Sequence, residues 1–200
     1  MMMVTNKSIA LAFFLIGFIF TGFSVSAGGS KEVSAVEEKQ PEQENETVYP
    51  PKGWVTDISE AYKKAQAEDK EILVNFTGSD WCVWCKRLSE EVFTTPEFLA
   101  YSDDNLVKLF LDFPNTIDLS EEQVFHNQVI GQVLGVQGYP SIWLMDKNLA
   151  PLMVTGYREG GADEYIRHLE EDRPDVSQEE REAFKAAFIE AIESNIGPLN

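Results

Sequence analysis

The 200-residue chain has only two cysteines, and both lie in Trp81-Cys82-Val83-Trp84-Cys85-Lys86. Their setting constrains the fold more than their spacing does. Upstream, Glu71 to Phe76 contains the unbroken apolar run Ile72-Leu73-Val74, the pattern of a strand buried on both faces. Gly78-Ser79-Asp80 ends that strand. Trp81 to Phe93 then reads as a helix that begins at Cys82.

Further elements follow from local signals. Asp57 with Glu60 forms a capping pair that opens a helix through about Glu68. Thr95-Pro96 supplies a cap and an N1 proline for a short helix. Leu106 to Phe113 is a second apolar strand. Ser120 with Gln123 makes a capping box for a helix that fades near Gly131 to Gly135. Ser141 to Met145 and Leu152 to Thr155 are short strands joined by Asp146-Lys147-Asn148, a hairpin. Asp163 to Glu170 is a helix, and Ser177 with Glu180 caps a last one, lined on one face by Phe184, Ala187, Phe188, Ala191 and Ile192. Strands alternating with helices imply an α/β sheet covered on both faces, and the late hairpin makes it mixed.

The start of a helix has free backbone N–H groups and the positive end of the helix dipole, which stabilise a thiolate at Cys82. Cys85 lies one turn further on the same face. Cys82 is the expected attacking thiol, and Cys85 the one that resolves a mixed disulfide formed on it. Three plainer readings compete. A structural disulfide over so short a loop constrains the unfolded chain little. Zinc needs two more ligands, and His126 and His168, the only histidines, lack finger-like spacing, so no metal is expected. Inert buried thiols are the third.

Residues 71 to 86 together resemble the strand and active-site motif of the thioredoxin superfamily. Gly138-Tyr139-Pro140 resembles the family's cis-proline loop, and Gly156 resembles a family glycine. The resemblance covers Trp54 to Glu171. It is similar in flavour to the C-terminal domain of bacterial periplasmic thiol–disulfide interchange proteins and to secreted thioredoxin-like proteins. It implies a three-layer α/β/α sandwich with a mixed central sheet and an extra C-terminal helix. It implies that Pro140 is cis beside the dithiol, and that the backbone of Tyr139 pairs with a substrate peptide. It implies a redox-active disulfide as the only active group, with no organic cofactor.

The chain also departs from the family. Asn75 stands where thioredoxins carry a buried Asp beneath the second cysteine, and an amide cannot act as a base. Lys108 resembles the lysine that partners that Asp; a lysine reaching solvent from a strand edge is the plainer reading. Asp80 could substitute through water or simply cap the helix. Val83-Trp84 supplies no cation between the cysteines, so the disulfide is expected to be weakly oxidising, as in a reductase or isomerase. Trp81, Trp84 and Tyr139 are expected to form an aromatic rim for partly unfolded substrate.

The remaining chain sets the context. Hydrophobic residues make up 44%, which supports a core, and the net charge of −18 argues against nucleic-acid and anionic-lipid partners. Residues 1–27 read as a signal peptide: Lys7, the apolar run Ile9 to Phe20, then Val25-Ser26-Ala27. A membrane tether follows only if that segment stays uncleaved. Residues 28–52 read as a disordered linker ending at Tyr49-Pro50-Pro51, 53–172 as the thioredoxin-like domain and 173–200 as a helical extension. The expectation is a periplasmic or secreted monomer exchanging disulfides with protein thiols and an upstream redox partner. The alternative is a non-redox binding module on the same scaffold.

Overall fold

The computed structural model describes residues 49–199. The expected signal peptide and linker residues 28–48 lie outside the described residues.

Side-chain caps set where the helices begin. Asp57 accepts the Glu60 amide at 2.8 Å and opens α1 (Ile58–Glu68). Thr95 caps α3 (Pro96–Asn105), with Pro96 where its missing N–H costs nothing. Ser120 accepts the Gln123 amide at the start of α4 (Glu121–Val133). Only half of that expected box forms, because the Gln123 side-chain amide donates to the Thr56 carbonyl and to Asn127 Oδ1. The box at Ser177 and Glu180 is complete and opens α6 (Gln178–Asn195). The remaining helices are α2 (Val83–Leu88) and α5 (Gly161–Glu171). The helix expected to run unbroken to Phe93 instead leaves α2 through a wider π turn, Ser89–Phe93, closed by the Thr94 amide on the Ser89 carbonyl. The wider turn accompanies burial of two consecutive side chains, Val92 and Phe93.

The sheet is five-stranded, in the order β1-β3-β2-β4-β5. Central β2 (Glu71–Thr77) runs parallel to β3 (Leu106–Asp112) and antiparallel to β4 (Ser141–Met145). The hairpin partner β5 (Pro151–Thr155) closes one edge, and β1 (Trp54–Val55) closes the other beside β3. Successive strand side chains face opposite ways. Ile72, Val74, Phe76, Val107, Leu109 and Leu111 meet α1, α4 and α6. Leu73, Leu106, Phe110, Ile142 and Leu144 meet the α2 and π segment, α3 and α5. The result is the three-layer α/β/α sandwich with a mixed sheet.

Two features differ from expectation. The two-residue β1 has no periodicity of its own, and only its pairing with Lys108 and Leu109 defines it. The linker does not reach residue 52, because Tyr49 already packs edge-on against Phe110 at 5.9 Å. Helix α6 packs on its own domain: Phe188 and Ile192 are buried, and Phe184 stacks on Trp143 at 5.7 Å.

Candidate active site

Cys82 and Cys85 form a disulfide with their Cα atoms 5.2 Å apart. Cys82 has extended backbone and is the N-cap of α2: its Sγ accepts the Cys85 amide at 3.2 Å, while its carbonyl accepts that of Lys86 at 3.1 Å. One of the otherwise unpartnered first-turn amides therefore points at sulfur, where it favours a thiolate once the disulfide opens. Both cysteines are buried, Cys82 6% and Cys85 5% exposed, but Cys85 sits one turn inside the helix, on the wall of a cavity of about 190 Å³ that also touches Asn75, Thr77, Ser79 and Glu90.

The loop carrying Cys82 is held from below and from the side. Asp112, buried at the end of β3, accepts the Ser79 amide at 2.9 Å and the Ser79 hydroxyl at 2.5 Å. Burial pushes the Asp112 carboxyl up from its ordinary range, opposed by the bonds from Ser79. Asp80 accepts the amides of Asn115 and Thr116 and the Thr116 hydroxyl. Those bonds hold its carboxyl down at about 2. Asp80 is thus a loop staple that stays ionised; it is not the helix cap, a position Cys82 occupies.

Strand pairing brings the second loop alongside. In the β2–β4 register, Phe76 faces Ser141, so the residues after Phe76 and those before Ser141 leave the sheet together. The Tyr139–Pro140 bond is cis. The Tyr139 ring lies edge-on to Trp81 at 5.8 Å and against Phe113 at 5.1 Å, and Trp81 Nε1 donates to the Phe113 carbonyl at 2.8 Å. Gly156 gives this loop room: a Cβ there would stand 3.1 Å from the Pro140 carbonyl oxygen.

Residues 53–147 match the family model described as thioredoxin-like. The fold over this stretch is thioredoxin-like. The chain is 31% identical over 108 residues to the disulfide bond reductase DsbH of Chlamydia pneumoniae, an alignment covering 54% of this chain and 65% of that relative. The chain thus spans somewhat less than two thirds of the relative's length. A solved DsbH oxidoreductase structure superposes with a TM-score of 0.56 at 29% identity, over 58% of this chain and 81% of that one. The oxidised C-terminal domain of Neisseria meningitidis DsbD gives a TM-score of 0.44 at 19% identity, over 60% and 99% of the two chains.

Around the dithiol of this thioredoxin-like fold, the expected aromatic rim divides into two groups. Trp81, 44% exposed, groups with Tyr139 and Phe113. Trp84, 51% exposed, groups instead with Tyr157, its ring centre 5.0 Å away. Asn75 is buried on the cavity wall, and its Oδ1 has no hydrogen-bond partner. Lys108 is not at a solvent-facing edge. It is buried in β3, and its amine donates to Ser102 Oγ at 2.7 Å, with Asp103 at 3.7 Å, so it is engaged away from the dithiol. Burial pushes its amine below the ordinary lysine range. Tyr157, Arg87, Glu91 and Asp112 join the site without having been singled out in the sequence; each reaches it through a tertiary contact that no local pattern marks. Among the described residues, no group of three or more His, Cys, Asp or Glu is placed to hold a metal ion.

Proposed function

We propose that the chain is an extracytoplasmic thiol–disulfide oxidoreductase, a reductase or isomerase of protein disulfides that works through Cys82 and Cys85 without an organic cofactor. The observation that carries this reading is the Cys82 sulfur held on a first-turn amide, with Cys85 disulfide-bonded to it from one turn inside the helix.

In the reduced state the Cys82 thiolate attacks one sulfur of a substrate disulfide. A mixed disulfide forms, and the other substrate sulfur leaves as a thiolate and takes a proton from water. Cys85 then loses its proton and attacks Cys82 Sγ. The Cys82–Cys85 disulfide forms, the second substrate thiol is released, and two electrons have passed to the substrate. A dithiol partner returns the pair to the reduced state by the reverse exchange. The Tyr139–Pro140 loop beside Trp81 is suited to hold the substrate chain as an added strand, and the two aromatic groups flank its path.

Three further points support the reading. The Chlamydia pneumoniae relative is named as a reductase. Val83-Trp84 places no cation between the cysteines, which favours a disulfide of low oxidising power. The N-terminal pattern favours an oxidising compartment outside the cytoplasm, where protein disulfides exist.

Insulin reduction with dithiothreitol as electron source tests the proposal. Activity is expected from the parent chain and lost in Cys82→Ser. Equal turnover by Cys82→Ser would point instead to a scaffold without redox function. In Cys85→Ser, mixed disulfides on Cys82 should accumulate and identify the partners.

A further inference from the structure

Trp84 stands between the two cysteines in the chain with half of its surface exposed, and its indole packs against Arg87 and Tyr157, which Glu91 ties together. The Arg87 guanidinium lies 5.6 Å from the centre of the Trp84 ring and 5.3 Å from that of Tyr157, while the two rings are themselves 5.0 Å apart. Glu91, one turn along, closes the group: it accepts Arg87 Nε at 2.6 Å and the Tyr157 hydroxyl at 2.7 Å. These bonds hold the Glu91 carboxyl below the ordinary range, so the group stays charged and assembled at neutral pH. Trp84, Arg87 and Glu91 follow one another at helical spacing, and Tyr157 arrives from the segment after β5.

We infer that Arg87, Glu91 and Tyr157 are positioning residues that lock the Trp84 indole as a preformed wall for the polypeptide flanking a substrate disulfide. This inference rests on the oxidoreductase reading above. A free indole at an exposed helix position samples several rotamers, and substrate would have to order it on binding. The guanidinium is suited to this task by its shape. It is flat, so it can lie against both rings while its Nε–H donates to Glu91, whereas a lysine ammonium could pair with Glu91 but offers no flat face to the rings. A small disulfide that reaches Cys82 without a flanking chain gains nothing from the wall. The clamp therefore sets preference for protein over small disulfides.

The test compares Arg87→Met, Arg87→Lys and Tyr157→Phe in the full chain, with insulin and glutathione disulfide as substrates. Both Arg87 variants should raise KM for insulin about two- to fivefold, with kcat and glutathione disulfide turnover within about twofold of the parent. Tyr157→Phe, which removes only the bond to Glu91, should shift KM the same way by less. Unchanged KM for insulin in an active protein overturns the clamp and leaves the oxidoreductase reading intact. So does full rescue by Arg87→Lys, which would mean that charge alone matters, or equal loss on both substrates. A parent chain inert toward both substrates, or turnover indifferent to Cys82→Ser, overturns the oxidoreductase reading and the clamp with it.

Discussion

Gly78→Ala tests how tightly the active-site loop is built. A Cβ at this position would stand 2.4 Å from Trp81 Cε2, 2.6 Å from Nε1 and 2.7 Å from Cζ2, closer than real Cβ contacts come. Gly78 is not among the residues with positive φ, so alanine fits the backbone and the whole effect is the collision with the indole. The indole must swing outward. That breaks the Nε1–H bond to the Phe113 carbonyl, about 0.5–1.5 kcal/mol net, and the edge contact with Tyr139, another about 0.5–1.5. Alanine returns about 0.4–1 kcal/mol by restricting the unfolded chain. The expected net loss is therefore between about 0 and 2.6 kcal/mol in urea unfolding with an unchanged m value, together with a shifted Trp81 indole N–H resonance. In a Trp81→Ala background the same change should cost nothing or stabilise. Gly78→Ala as stable as the parent, with the indole resonance unmoved, would refute the reasoning.

Three other substitutions carry distinct expectations. Asp80 has its folded-state pKa depressed to about 2, so its contribution to stability is present above the unfolded value and is lost as pH falls through about 2; Asp80→Asn should flatten the acid side of the stability profile between about pH 4 and 2, measured by chemical denaturation. Asn75→Asp buries a carboxyl on the cavity wall, so its folded pKa rises; the variant should be about 2–4 kcal/mol less stable at pH 7 and recover as pH falls toward the unfolded value of about 3.9. Lys108→Met replaces a buried amine whose nearest carboxylate, Asp103, is exposed; stability should stay within about 1 kcal/mol or rise, and insulin reduction should be unaffected, in line with a place outside the redox site.

Much of this architecture could be read from the chain because its signals are local. Asp57, Thr95-Pro96, Ser120 and the Ser177–Glu180 box each act within one helical turn, and each opens the helix it announces. Ile72-Leu73-Val74 marks the central strand because both of its faces need cover. What stayed hidden depends on distant partners. Trp54-Val55 is a strand only by virtue of Lys108 and Leu109. Tyr49 looks like the end of a polar linker until Phe110 receives it. At the site, the two cysteines and the Tyr139–Pro140 loop are legible as motifs. The division of the aromatic rim is not, since it turns on Tyr157, more than 70 residues from Trp84 in the chain. The roles of Asp80 and Lys108 were equally out of reach, because the loop amides of Asn115 and Thr116 and the Ser102 hydroxyl decide them.

The β2–β4 ladder acts as a ruler for the redox centre. Phe76 opposite Ser141 places the dithiol loop and the proline loop at the same end of two adjacent strands, so their separation is written in backbone hydrogen bonds rather than in either loop. A slip of two residues would carry Pro140 about 7 Å along the strand, and a slip of one would turn Ile142 and Leu144 out of their layer. The two residues between the cysteines take no part in setting that separation. Exchanging Val83 and Trp84 retunes the chemistry of the sulfurs while the distance at which a substrate chain meets them stays the same.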